Sequence, residues 1–401
     1  MTDTILPLSF SDRVLELKAA KTFEYSDLAS KLVHEGKELI SFGIGQPDFQ
    51  TPKHIVDAAV TALKTGFTRY VSPPGIPELR AAIATSVSAF TGAGDVKPEE
   101  TLVTAGAKHA MFFTIVSCIK PGDEVILPDP AFYSYAHVIR YAGGKPVFVP
   151  LNEDSGFTMT PADVQAKITG KTRMIIVNSP HNPTGSVLKP HDFQGILTLA
   201  KERKILIASD EVYDHFTYTN DFKSALNDPD WRDYVIYVNS FSKTYAMTGW
   251  RLGYVVAQAP IIRRLTLFTA NTVSCTTSFV QKAGVAALCG SQKFFSKVLH
   301  EYKVRRDFIH QELNRIHGVK AEKPTGAFYI FPNVKDILQK TQTSTEELAI
   351  NLMKKNGVVV LPGTAFPHEA GIGYLRMSYA LPREKIEQGL VLFKSFINQH
   401  M

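Results

Sequence analysis

Seven short β-rich runs, each closing on small or polar residues, recur through the middle of the chain: TLVTAG (101–106), EVILPD (124–129), KPVFVP (145–150), MIIVNS (174–179), ILIASD (205–210), VIYVNS (235–240) and RLGYVVA (251–257). Most are separated by stretches of helical spacing, such as DFQGILTLAKERK after Pro190. Strand, helix and strand in succession pack as a right-handed crossover, which predicts an α/β fold: a largely parallel seven-stranded sheet with helices on both faces. RLGYVVA follows VIYVNS too closely for such a crossover and is expected to run antiparallel. Beyond about residue 285 the pattern changes to a long charged segment, QKFFSKVLHEYKVRRDFIHQELNRIHG, then to the apolar runs AFYIF, VVVLP and YLRMSY. These read as a second, smaller α+β domain.

Size agrees with two domains, because 401 residues exceed one ordinary core and 44% hydrophobic content is ample to bury both. The formal charge of +6 is spread along the sequence without the clustered basic stripe that nucleic acid requires, so no nucleic-acid partner is expected. Cys118, Cys275 and Cys289 are odd in number, far apart and without metal-ligand spacing. Neither a disulfide framework nor a metal site is favoured, and they read as buried thiols in a reducing compartment. The start, MTDTILPLSFSDRV, lacks a basic head followed by a long apolar core, and no apolar run reaches the length of a membrane span. A cytoplasmic location with no membrane partner is the expectation.

The chemistry concentrates in Ser240-Phe-Ser-Lys243-Thr-Tyr-Ala-Met-Thr-Gly-Trp-Arg251-Leu-Gly253, which follows an apolar strand. The Lys243 amine can condense with an aldehyde, while Ser240 and Arg251 offer a hydrogen bond and a positive fork to a phosphate dianion. One ligand, pyridoxal phosphate, carries both groups; a solvated loop lysine is the alternative. Asp210, at the end of ILIASD, is a carboxylate that burial penalises unless it meets a cation, and a pyridinium nitrogen is such a partner. Glu211 and Asp214 compete for that role, and helix capping is the other use of Asp210. In Ser179-Pro-His-Asn182-Pro-Thr-Gly185 prolines on both sides restrict the backbone, so the Asn182 amide is held in one direction. Gly106, Ala107 and Lys108 open the apolar stretch HAMFFTIVSCI, where N–H groups at a helix start face a bound anion, unless the segment is only a strand-to-helix turn. Gly106, Asp129, Asn182, Asp210 and Ser240 all fall at or just beyond carboxyl ends of strands, where ligands bind in open α/β sheets.

At every constrained position the Lys243 window resembles the lysine signature of class I aminotransferases, in the fold-type I pyridoxal phosphate enzymes. The whole chain, including GIGQPDFQTP, GFTRY, DEVILPDPAFYSYA and DWRDYVIYVNSFSKT, looks most like the aspartate aminotransferases of archaea and thermophilic bacteria. The resemblance implies that Lys243 anchors the cofactor and moves the substrate α-proton, and that Asp210 pairs with the ring nitrogen. It implies that Tyr213 and Asn182 donate to the phenolic oxygen and that Phe132 stacks on the ring, with Tyr133 as competitor. Tyr70 resembles the tyrosine that reaches the phosphate of a neighbouring subunit, which implies a homodimer. Arg376 in Tyr374-Leu-Arg-Met-Ser-Tyr-Ala380 and the backbone of Gly45 stand where the family grips the substrate α-carboxylate, and Lys108 where one subgroup contacts the distal carboxylate. His181 receives no role and Arg80 a structural one. Residues 1–50 are expected to form an arm and part of the small domain, 51–285 the large cofactor domain and 286–401 the rest of the small domain.

The implied activity moves the amino group of an L-amino acid, aspartate preferred, to 2-oxoglutarate by a ping-pong route. Ala20 stands where some bacterial relatives carry a serine that assists the lysine, so an aromatic or broad-range aminotransferase is the alternative. A β-lyase or an aminocyclopropane carboxylate synthase on the same scaffold follows. A ligand-sensing transcription regulator on this fold is disfavoured, because only about 40 residues precede GIGQPDF and no recognition-helix pattern is present.

Overall fold

A computed structural model describes residues 12–15, 17, 19, 21–219, 222–367 and 369–400. All seven expected runs form strands: β1 Thr101–Thr104, β2 Glu124–Asp129, β3 Lys145–Pro150, β4 Thr172–Asn178, β5 Leu206–Asp210, β6 Val235–Ser240 and β7 Gly253–Val256. They pair in the order β1-β7-β6-β5-β4-β2-β3. Neighbours from β3 to β6 run parallel, and β7 is antiparallel to both β6 and β1. The link from Ser240 to Gly253 has no room for a crossover helix, so the strand can only turn back.

β1, β2, β6 and β7 are buried along their whole length, as continuous apolar runs in a sheet covered on both faces must be. Alternate residues serve opposite cores: Ile126, Ile175, Ile207 and Val235 face one, Val125, Met174, Ala208 and Ile236 the other. The helices packed around the sheet and the smaller core include α1 Lys21–His34, α2 Ala107–Cys118, α3 Ser134–Tyr141, α4 Lys293–Leu313 and α5 Arg383–His400. α2 and α3 pack on the second face through Ala110, Phe113, Tyr135 and Ile139.

A third core gathers around a small antiparallel sheet, β8 Tyr329–Ile330, β9 Leu361–Pro362 and β10 Leu375–Ser378, in the order β9-β10-β8. α4 and α5 cover it with Ile309, Leu313, Phe393 and Phe396, and α1 adds Tyr25 and Leu32. Ile40–Ser41 pairs in parallel with Val358–Val359, so the chain's beginning is stitched to its last third.

Register brings the chemistry to one row. Gly253, the first residue of antiparallel β7, pairs with both Thr104 and Ser240; Asp210 pairs with Asn178 on one side and Val238 on the other. A Cβ at Gly253 would lie 2.7 Å from the Ala107 nitrogen and 2.9 Å from the Asn239 oxygen, so only glycine lets the turn into α2 approach the Lys243 segment this closely. The cysteines depart from expectation. Cys118 and Cys275 are half-buried and Cys289 is exposed, because it closes the helix Ser278–Cys289. Burial still pushes the Cys118 thiol up to about 11. Among the described residues no helix is long and apolar enough to cross a membrane.

Candidate active site

The row of strand ends opens into a cavity of about 380 Å³. Asn182, Asp210, Tyr213, Ser240, Lys243 and Arg251 line it from the parallel sheet; Ala107, Lys108 and Phe132 from α2 and the approach to α3; Gly45 and Arg376 from the third core. Gly106 lies against Arg251, one residue behind the lining. Tyr70 is elsewhere: it is 87% exposed and lines no part of its own chain's cavity. Ala20 lies outside the described residues.

Lys243 is half-buried in the cavity, and its amine donates to the Gly45 carbonyl at 2.5 Å. Burial, reinforced by the charges of Arg376 and Arg251, brings it down to about 7. A lysine with a substantial neutral fraction near pH 7 is a nucleophile and a base, unlike a solvated one.

Asp210 ends β5 and is buried, accepting from the Tyr135 hydroxyl at 2.6 Å and the Val212 N–H at 3.3 Å. Burial pushes its carboxyl up to about 6 against the pull of those two bonds. It belongs to no ion pair among the described residues, so a cation is the missing partner. Its two competitors face away from the cavity. Glu211 is held by Ser209 and the Ala225 N–H, and burial raises it to about 8. Asp214 is occupied by His215, Asn239 and Tyr237.

The Tyr213 and Tyr329 hydroxyls meet at 2.7 Å, and Asn182 takes its backbone direction from Asn178, whose Oδ1 accepts the Asn182 N–H at 3.0 Å. Arg376, in β10, is 5% exposed and sandwiched between the rings of Tyr329 and Phe366, at 4.5 and 5.0 Å. Its Nη1 donates to Asn182 Oδ1 at 3.2 Å and its Nη2 to the Gly43 carbonyl at 2.5 Å, but its buried Nε has no partner among the described residues. An orphaned guanidinium N–H is costly, and a carboxylate on that edge would satisfy it.

Arg251 sits at φ 56°, a left-handed turn that swings its guanidinium back over the start of α2. There a Cβ on Gly106 would lie 2.6 Å from Arg251 Nη2, so the glycine leaves a cradle between the fork and the first N–H groups of the helix. Phosphate fits Arg251, Ser240 and that helix start; a protonated ring nitrogen fits buried Asp210; an aldehyde fits the near-neutral amine of Lys243. The donor set therefore fits pyridoxal phosphate.

Four contributors escaped the sequence reading: Tyr135, Asn178, Tyr329 and Phe23. Phe23, on α1, is 59% exposed at the cavity mouth beside Lys108. The aromatic three did carry a signal, a hydroxyl or ring among apolar neighbours, but core packing produces the same pattern. His181 is buried outside this cavity with Nδ1 2.8 Å from the Thr184 hydroxyl, and burial lowers it to about 3. Arg80 ties the Thr101 and Pro98 carbonyls together, at 3.1 and 2.6 Å.

Residues 37–391 match the model of the family "Aminotransferase class I and II". The chain is 43% identical to an aspartate aminotransferase of Sulfolobus acidocaldarius over 98% of each chain. Its structure resembles the aspartate aminotransferase of Thermus thermophilus with maleate, at TM-score 0.91 and 34% identity over 97% of this chain and 99% of that one. It also resembles an aromatic aminotransferase of Pyrococcus horikoshii OT3, at TM-score 0.86 and 38% identity over 92% and 99%. The chain belongs to the class I and II aminotransferases, fold-type I enzymes that work with pyridoxal phosphate.

Proposed function

We propose that this aminotransferase takes the amino group of aspartate and passes it to 2-oxoglutarate, both substrates using one cavity in turn by a ping-pong route. One observation carries the reading: the cavity that holds the Arg376 fork also holds Lys108, an ammonium in no ion pair among the described residues. Two cations facing one cavity suit a substrate with two carboxylates. The Sulfolobus relative's name and the maleate in the Thermus relative, itself a dicarboxylate, support it.

Pyridoxal phosphate, when bound, supplies an electron sink for the charge left when the α-proton departs. Lys243 would hold it through Nζ, and the same amine would take the α-proton of the amino acid and return it. Asp210, directed by the Tyr135 hydroxyl, would meet the ring nitrogen and hold a proton on it. Tyr213 and Asn182 would donate to the cofactor's phenolic oxygen, and Phe132 would cover its ring. The backbone N–H groups of Gly106, Ala107 and Lys108 at the helix start, with Ser240 and Arg251, would hold the phosphate; Arg376 and the Gly45 backbone would hold the α-carboxylate.

With 2-oxoglutarate as acceptor, aspartate is expected to exceed phenylalanine in kcat/KM by about tenfold or more. No turnover with aspartate in that donor panel would reject the proposal. The second reading, an aromatic or broad-range aminotransferase, draws on Phe23, Met111, Phe112 and Ile115, which give the same cavity an apolar wall. The panel separates the two.

We further propose a homodimer in which Tyr70, exposed on its own chain, reaches the phosphate of the neighbouring site. Sedimentation equilibrium should give twice the chain mass, and a single-chain mass would exclude the shared site. The separate third core supports domain bounds of 1–50 with 286–401 around a large domain of 51–285; limited proteolysis of the apoprotein tests them. Three free cysteines support a reducing, cytoplasmic compartment, which cell fractionation checks.

A further inference from the structure

Lys108 is presented rather than buried, and what presents it is aromatic. Its ammonium donates to the Tyr133 hydroxyl at 2.7 Å and lies 4.9 Å from the ring centre of Tyr133, 5.3 Å from that of Phe132 and 5.9 Å from that of Phe23. Phe23 meets Tyr133 edge-on at 6.5 Å, so α1 closes the far side of this cage. A lysine ammonium has three donors, and a phenol oxygen that accepts one of them keeps its own hydrogen to donate. A free lysine at a cavity mouth would lose rotamer freedom on meeting a substrate; one already tethered at 2.7 Å loses less.

We infer that Tyr133 is a specificity-determining residue for acidic donors: its hydroxyl holds the Lys108 ammonium in place and donates its own hydrogen to the same distal carboxylate. The inference rests on the aspartate reading above. Tyr133 has the position for it, since it immediately precedes α3 and its ring centre is 4.8 Å from that of Phe132, the ring proposed to cover the cofactor. A dicarboxylate held at one end by Arg376 presents its other end here, to two donors; a donor with no second carboxylate makes neither bond. The phenyl rings around the ammonium supply cation–π attraction, which leaves the charge uncompensated and available to an anion.

The test uses the full-length holoenzyme and its Tyr133→Phe and Lys108→Met variants. The readouts are the ratio of kcat/KM for aspartate to that for alanine, and calorimetric affinity for succinate against butyrate, which lacks the second carboxylate. Tyr133→Phe should cut the ratio about tenfold, mainly through KM, and weaken succinate by a similar factor relative to butyrate. Phenylalanine preserves the ring packing, and cofactor content with a melting curve confirms the fold. If Tyr133→Phe keeps both within twofold while Lys108→Met lowers them, the Tyr133 inference falls and the aspartate reading stands. If neither variant moves the ratio, the distal-carboxylate reading itself falls, and Tyr133 with it.

Discussion

Lys243→Ala should lower transamination by more than about ten-thousand-fold and abolish the yellow colour of covalently held cofactor. The size follows from two losses at one atom. In the proposed mechanism Nζ is both the nucleophile that holds the aldehyde and the base for the α-proton, and no second amine among the described residues shares its position on the Gly45 carbonyl. Lys108 lines the same cavity, but its ammonium is tethered to Tyr133 at the mouth. Turnover within a factor of ten of the parent enzyme would remove Lys243 from the mechanism. The same atom sets a pH dependence. With the amine brought from 10.5 to about 7, covalent uptake of pyridoxal phosphate by the apoprotein should accelerate as pH rises through about 7, because the neutral amine attacks. Linkage runs in the same sense: the unfolded chain binds the extra proton between about 7 and 10.5, so this group makes the apoprotein more stable as pH rises across that window. Stopped-flow absorbance and pH-dependent melting read the two effects separately.

Arg376→Ala should reduce kcat/KM for every amino donor about a thousandfold, with most of the loss in KM for substrates that bind through the α-carboxylate alone. The guanidinium is almost wholly buried, gripped by two rings, and carries an unpartnered Nε among the described residues, so a carboxylate reaching it would enter a low-dielectric site with a fixed fork. Its Nη groups rest on Asn182 and the Gly43 carbonyl, which keeps the fork aimed. Arg376→Lys should recover little of the loss, because a point charge cannot reproduce two parallel N–H bonds. Steady-state kinetics with aspartate and alanine decide it. A lysine variant with parental KM would mean that charge alone, and not the planar fork, does the binding.

Much of this site was legible along the chain because its parts obey local rules. Asp210, Ser240 and Gly106 sit where apolar strands end, and a parallel sheet must gather such ends at one edge. Residue chemistry alone leaves Glu211 and Asp214 as rivals of Asp210, and along the chain only the family resemblance singles Asp210 out. Glu211 is the very next residue, and its opposite orientation, onto Ser209 and the Ala225 N–H, shows only in three dimensions. Tyr135 and Tyr329 stayed hidden for a related reason: their hydroxyl partners, Asp210 and Tyr213, are 75 and 116 residues away along the chain. A tyrosine whose partner is that distant reads as ordinary core.

The order of apolar runs and helical spacers by itself marked the strands and the antiparallel return of β7, since a strand's burial pattern and a link too short for a crossover are both written in neighbouring residues. Only the tertiary structure decided the state of the groups. Lys243 near neutrality, Asp210 awaiting a cation and Arg376 with an idle N–H each depend on what distant segments withhold from them, namely water, and that exclusion is a property of the packed cavity rather than of any stretch of sequence.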